Sequence, residues 1–316
     1  MQKREGGIDL SIIIPFYNVK RYFTQCLDSV LNQDCVSFEL VLVNDGSNDG
    51  SEKIAAEYAL KDKRIILFNQ ENKGIPFARN KGLELINGKY FLFIDADDYI
   101  AANSLKILMQ TAIQYDVDIL QTEINRIYNE ERIEPWKIYP VEKNMNGEAY
   151  FKLMIRKHSI RITPYSNLVR TEFAKQQDFV FDEKMTRLQD FEYYTKLMLK
   201  ANKIRNINYP YYYFRVDSNT EVKKDRHNIS KLFQLYHLTL NNFDHFSEKE
   251  NLSRKIKNKL HWLVCSHVSY YKKDTLNKLP DDELNFWKDF VKHNIFRNNG
   301  WLRPYVYFRF LKFLTL

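Results

Sequence analysis

The 316-residue sequence is poor in cysteine, proline and glycine, with three, eight and nine residues of each. Cys26, Cys35 and Cys265 are too few and too uneven for a disulfide framework, and they fit a reducing compartment. No two of them stand at metal-ligand spacing, so no structural zinc site is expected. Little Gly and Pro, with 44% apolar and 28% charged residues, excludes collagen-like and disordered chains. No run of 18 uncharged apolar residues occurs, so no spanning helix is expected. The opening MQKREGGIDL lacks the apolar stretch of a signal peptide, which predicts a cytoplasmic protein, free or peripheral on the inner face of the membrane. Neither G-x-G-x-x-G nor G-x-x-x-x-G-K-[ST] is present, against a dinucleotide cofactor or a P-loop.

Aromatic residues and positive charge are plentiful. Phe, Trp and Tyr make up 15% of the chain, and 48 Lys and Arg against 40 Asp and Glu leave a net charge of +8. Residues 1–220 hold 30 basic and 30 acidic residues, whereas residues 221–316 hold 18 and 10. The whole excess lies in the last third. A polyanionic partner and a well-solvated helical surface both account for it.

The first hundred residues alternate short apolar runs with helical spacing. Leu10–Pro15, Phe38–Asn44, Arg64–Asn69 and Tyr90–Ile94 read as buried strands, separated by helices over about 19–32, 51–60 and 74–85. That alternation predicts an α/β fold, a doubly wound, mostly parallel sheet with helices on both faces. Ligands of such sheets bind beyond the carboxyl ends of the strands, here Pro15–Asn18, Asn44–Gly46 and Asp95–Asp98. Further on, helices are expected over 104–115, 147–157 and 188–201, and strands over 119–128, 167–170 and 207–214. Residues 129–147 read as polar and irregular. Residues 228–246, 249–272 and 282–293 read as amphipathic helices.

Four polar elements fall at or near the strand ends, and each has two readings. Asp95-Ala96-Asp97-Asp98 packs three carboxylates into four residues. That suits a Mg²⁺ or Mn²⁺ ion shared with a diphosphate, and equally an Asp-rich turn. Asp45 can accept hydrogen bonds from a base or ribose, or serve turn chemistry with its neighbours Asn, Gly and Ser. Lys73 and Arg79 flank a helix start, where they hold phosphate oxygens or remain solvated charges. Asp190 opens a helix, as a cap or as a general base for an acceptor hydroxyl.

Taken in order, SIIIPFYN, VNDGSNDGS, NKGIPFARN, FIDADD, an (E)D pair before a helix and YYYFR-x-x-S form a pattern. It resembles the family 2 glycosyltransferases, inverting enzymes with the GT-A fold, over roughly residues 8–220. The resemblance implies a catalytic domain there and a helical region over 221–316. It implies that Pro15 and Tyr17 lie in the loop against the nucleotide base, that Asp45 bonds the base, usually uracil, and that Arg79 lies near the diphosphate. Asp95 and Asp97 match the D-x-D, the first facing ribose and donor sugar and the second the metal. Asp98 is a further metal candidate, and Asp190 matches the catalytic base. Gln189 departs from the pattern, which more often has Glu there. A neutral neighbour removes like-charge repulsion and predicts a lower Asp190 pKa than beside a Glu.

The implied reaction is metal-dependent transfer of a sugar from a nucleotide-sugar, UDP-sugar by family habit, to a glycan or lipid-linked acceptor in surface polysaccharide synthesis. Arg215 is expected to reach the diphosphate or acceptor, or else to form a surface ion pair with Asp217 or a neighbour. His227 is a weaker metal candidate. The basic cluster Arg254, Lys255, Lys257 and Lys259, with the aromatic-basic tail Trp301–Leu316, suits an anionic membrane surface, packing on the catalytic domain or a homodimer contact. Nucleic acid is not expected, because the carboxylate-rich strand ends would repel it and no nucleic-acid motif is present. A non-catalytic, membrane-associated module on the same fold is the alternative. A nucleotidyltransferase is a remoter one, lacking the glycine-rich signature near the first strand.

Overall fold

The structure is a computed structural model that describes residues 7–34, 37–157, 159–216, 229–268 and 279–297. The chain divides into two compact units, residues 1–218 and 219–316. The first unit is an α/β domain built on a nine-stranded sheet. Its strands are β1 (Leu10–Phe16), β2 (Phe38–Asp45), β3 (Ile65–Gln70), β4 (Tyr90–Phe93), β5 (Tyr99–Ile100), β6 (Ile119–Tyr128), β7 (Arg132–Trp136), β8 (Asn167–Arg170) and β9 (Ile204–Arg215). Their order across the sheet is β3-β2-β1-β4-β8-β6-β9-β5, with β7 added on β6. The half containing β3, β2, β1 and β4 is parallel, and β8 runs against both β4 and β6.

Side chains alternate across β1. Ile12 and Ile14 face a core shared with helices α1 (Lys20–Leu31), α2 (Ser51–Lys61) and α4 (Ser104–Gln114). Ile13 faces a second core shared with α3 (Ile75–Leu85), α5 (Gly147–Arg156), α6 (Thr171–Gln177) and α7 (Gln189–Lys200). A strand buried on both faces needs an unbroken apolar run, which SIIIPF supplies. Gly82 on α3 makes the close approach to the sheet, since a Cβ there would run into Ile13.

Two local expectations change. Pro15 lies inside β1, paired with Val43 of β2, and only Tyr17 projects into the loop, 40% exposed. The Ile13 carbonyl accepts the Ile94 amide, so residue 15 faces the same side, just past the end of β4 at Phe93. No ladder partner waits there for the N–H that proline lacks. Residues 129–147 are not wholly irregular, because β7 folds back on β6 around Asn129 and Glu130, both at positive φ. Its residues are almost all exposed, so apolar patterning gave no sign of a strand.

The second unit contains three described helices, α8 (Ile229–Lys249), α9 (Arg254–Val268) and α10 (Asp281–Arg297). Trp287 is fully buried, edge-on to Phe233 and Phe290. The basic cluster of α9 does not form one surface. Lys259 is buried, Lys257 is paired with Asp244 at 3.0 Å, and Arg254 and Lys255 are exposed. Among the described residues no helix is long and apolar enough to cross a membrane. Asp217, Ser218, His227 and the tail Trp301–Leu316 lie outside the described residues.

Candidate active site

The loops that follow the carboxyl ends of β1 and β2 are stitched together. The Asn18 amide donates to Ser47 Oγ (3.1 Å), the Asn48 amide to Asn18 Oδ1 (2.9 Å) and the Lys20 amide to Asp49 Oδ2 (2.9 Å). Asp45, 4% exposed, ends β2. Its Oδ1 accepts from Gln70 Nε2 (2.7 Å) and the Lys73 amide (2.9 Å), and its Oδ2 from the Gly74 amide (2.8 Å). The carboxylate expected against a base thus holds residues 70–74 at the entrance to α3. The Lys73 side chain is exposed beside it.

Asp95 to Asp98 form a tight turn closed by the Asp98 amide on the Asp95 carbonyl (3.0 Å). Two residues of β9 clamp it. The Tyr212 hydroxyl accepts from the Asp95 amide (3.0 Å) and donates to Asp98 Oδ2 (2.7 Å), while Asp98 Oδ1 accepts from the Arg215 amide (2.8 Å). Burial, then the Asp97 and Asp95 charges, push the Asp98 pKa well up. Of the three carboxylates expected at a metal, Asp98 is therefore turned inward at 1% exposure, whereas Asp95 and Asp97 are part-exposed.

Arg215 is also turned inward. Its guanidinium donates to the Asp97 carbonyl, to Gln25 Oε1 (2.5 Å) and to Glu130 Oε1 (2.7 Å), and packs near the Tyr22 and Tyr99 rings. Its motif predicts a place at the diphosphate or acceptor, or a surface ion pair. In the structure it braces the carboxylate turn from behind.

Arg79 gathers the remaining charges. It is 3% exposed, with the Phe93 and Phe181 rings 5.8 and 5.5 Å from its guanidinium. Phe181 is held there because its backbone amide and carbonyl both bond the Asn80 side chain. Arg79 donates to Asp190 and pairs with Asp95 at 3.3 Å. The consecutive elements α3 and β4 and the distant start of α7 thereby meet at one cation.

Asp190 follows Leu188, whose φ of +63° is the left-handed conformation that favours glycine, so the chain turns sharply into α7. Its pKa is pushed up to about 6. Burial raises it most, Arg79 opposes, and Asp95 raises it further. Its influential like charge is therefore Asp95, which shares Arg79 with it. Gln189 beside it in sequence is 8% exposed, with its Oε1 buried.

Among the described residues no three His, Cys, Asp or Glu side chains are grouped to cage a metal alone. Part-exposed Asp95 and Asp97 still fit a Mg²⁺ or Mn²⁺ ion that takes its other ligands from water and phosphate, as Mg²⁺ commonly does. Sequence reasoning missed Tyr212, Gln25, Glu130 and Phe181. Their roles arise from strand pairing and loop packing, and only the aromatic run of β9 hinted at one of them.

The model of the family "Glycosyl transferase family 2" matches residues 11–194, more than half of the chain. The chain belongs to glycosyltransferase family 2. An uncharacterized glycosyltransferase of Bacillus subtilis, EpsJ, is 28% identical over 268 residues, covering 82% of this chain and 75% of EpsJ. The teichoic acid poly(glycerol phosphate) polymerase of Staphylococcus epidermidis is 30% identical over 214 residues, covering 65% of this chain and 28% of the polymerase. Among solved structures, S. aureus TarS residues 1–349 in complex with UDP-GlcNAc has a TM-score of 0.73 at 21% identity, covering 98% of this chain and 89% of that one. The family 2 glycosyltransferase assignment and the GT-A fold expected from the motifs are both borne out.

Proposed function

We propose that this glycosyltransferase uses Asp190 as general base to move a sugar from a UDP-sugar onto a hydroxyl of a surface-glycan acceptor, with inversion at the anomeric carbon. The observation that carries the reading is the meeting of Asp190 and Asp95 on the buried guanidinium of Arg79. It orients one carboxylate and tunes it to about 6, so that it is ionised yet basic near neutral pH. UDP as the nucleotide is supported by TarS, whose structures include complexes with UDP and UDP-GlcNAc.

Each residue then has a defined task. Asp190 accepts the proton of the acceptor hydroxyl as its oxygen attacks the anomeric carbon from the face opposite the leaving diphosphate. Arg79, too enclosed to be the main phosphate ligand, keeps Asp190 oriented and offsets Asp95. Asp45 acts on the base through residues 70–74, with Lys73 and Tyr17 at the rim. Asp95 and Asp97 hold a divalent metal, with Asp98, Tyr212 and Arg215 fixing their turn. When bound, the metal neutralises charge growing on the departing diphosphate.

An acceptor in polysaccharide or polyol-phosphate synthesis agrees with the printed name of the S. epidermidis polymerase. Peripheral attachment to an anionic membrane, if made through the described part of residues 221–316, rests on Arg254 and Lys255. The test is titration of UDP into the protein with and without Mn²⁺, followed by a screen of UDP-sugars for hydrolysis and transfer. Metal-dependent UDP binding is the expected result. No binding of any nucleotide would turn the reading to a non-catalytic module.

A further inference from the structure

One cationic and aromatic cluster takes no part in the machinery above. The guanidinium carbons of Arg126 and Arg161 lie 3.8 and 3.9 Å from the centroid of the Trp136 ring. Arg126 and Trp136 are part-exposed and Arg161 is buried. Arg161 Nη2 donates to the Lys137 carbonyl (2.6 Å), and its Nε and Nη1 are buried without a hydrogen-bond partner. Among the described residues neither guanidinium has a carboxylate salt-bridge partner. Glu134, opposite Arg126 in the β6–β7 ladder, is engaged by Arg132 at 3.3 Å. Glu123, the acidic side chain felt by Arg161, accepts the Ile138 amide (3.1 Å). Burial and the neighbouring Arg126 charge hold the Arg161 pKa down to about 10. Two cations on either side of one indole, with no carboxylate paired to either among the described residues, form a site short of negative charge.

The cluster lies on the reacting side of the sheet. Phe91 of β4 and Ile119 of β6 both stand beside Val169 of β8. β8 is antiparallel to both, so β4 and β6 run toward the same edge, one delivering Asp95 and the other Arg126. Tyr165 spans the interval. It stacks on Tyr212 at 4.3 Å, and its hydroxyl feels Asp95, Asp98 and Asp190 as well as Arg161. Tyr165 is itself buried, so an acceptor whose hydroxyl is at Asp190 would pass over this packed edge toward the part-exposed Arg126.

We infer that Arg126, backed by Trp136 and Arg161, forms an acceptor subsite for a phosphate ester, with the phosphate oxygens on the part-exposed Arg126. Arg161 supplies charge from beneath. Guanidinium groups suit phosphate because their N–H donors can engage two oxygens at once. This inference rests on the transferase reading and adds the acceptor's chemical class. The phosphate could belong to a polyol-phosphate chain or to a lipid-diphosphate-linked sugar, and the test separates them.

Three probes are titrated into the full chain: an oligo(glycerol phosphate), a lipid-diphosphate-linked N-acetylglucosamine in detergent, and neutral octyl glucoside. The wild type should bind at least one phosphate-bearing probe, and the one it binds identifies the source. Arg126→Ala should weaken that binding about tenfold or more, the loss expected for one hydrogen bond to a charged group. Arg126→Lys should lose less, and UDP affinity should be unchanged in both. Binding of neither phosphate probe by the wild type would overturn the subsite, as would equal affinity in wild type and Arg126→Ala. Acceptor binding is read without donor or turnover, so failure of the subsite is distinct from failure of the transferase reading. The latter would appear as absent UDP binding by the wild type.

Discussion

Arg79 on α3 pairs with Asp190 at the start of α7, 111 residues away in the chain. The pair fixes where the Asp190 carboxylate, the proposed base, points. It also favours the ionised form, because burial alone would leave the carboxylate more fully protonated.

The first prediction concerns the base itself. Asp190→Asn should lower kcat by about 10²–10⁴-fold, the range typical of general-base removal, and leave UDP affinity intact. In the wild type, kcat/KM should rise with pH through about 6 as Asp190 ionises. The same group should affect folding. Its folded pKa lies above the ordinary value of 3.8, so the native state binds the extra proton and stability falls as pH rises from about 4 to 6. Denaturant melts across that window should slope less in Asp190→Asn. Wild-type turnover in the variant would remove Asp190 from the reaction.

The two neighbours of Asp190 should move that limb in opposite directions. Arg79 favours the ionised form and Asp95 disfavours it. Arg79→Met should therefore shift the acid limb of kcat/KM above 6, and Asp95→Asn should shift it below. A pH profile separates these shifts from a general loss of activity, which both variants will also show. Movement of both limbs in one direction would contradict the three-group arrangement.

Most of this was legible from the sequence because it depends on local pattern. Buried runs such as SIIIPF and FELVLVND define strands, and their polar ends define the ligand edge. The fold and the family follow from that. What was illegible depends on long-range pairing. Arg215 looks like a ligand residue from its motif, yet the antiparallel pairing of β5 with β9 turns it under Asp97. Asp45 looks free at a strand end, yet residues 70–74 return to occupy both its oxygens. The left-handed Leu188, too, breaks the usual preference for glycine, so no propensity marks the turn into α7.

Asp45 gives a prediction about stability. Asp45→Ala would leave the Lys73 and Gly74 amides and the Gln70 amide group without their acceptor. An unsatisfied buried polar group costs about 1–3 kcal/mol, so the variant should lose at least ~2 kcal/mol in a urea melt. UDP affinity should fall with it, because residues 70–74 would no longer be fixed. Unchanged stability would mean that water replaces the carboxylate.

Tyr212→Phe tests the clamp on the carboxylate turn. It removes one hydroxyl that serves both the Asp95 amide and Asp98 Oδ2. The ring stack on Tyr165 should remain, so the loss should be polar, about 1–3 kcal/mol in a denaturant melt. Looser placement of Asp95 and Asp97 should also weaken Mn²⁺-dependent UDP binding more than metal-free binding. Lost stability with unchanged metal dependence would confine Tyr212 to the fold.

Asp97 is a second probe of the proposed metal, because one anchor of its turn is its backbone carbonyl rather than its carboxylate. Arg215 holds it by the backbone carbonyl, which Asp97→Ala retains. The turn should therefore persist, and with it Asp98, Tyr212 and most of the stability. Only the part-exposed carboxylate is lost. UDP affinity measured with Mn²⁺ should fall by about tenfold or more, the loss expected for one charge-assisted contact, while affinity without the metal should stay the same. An equal fall in both titrations would assign Asp97 to the nucleotide itself. No fall in either would leave Asp95 as the carboxylate to test at the diphosphate.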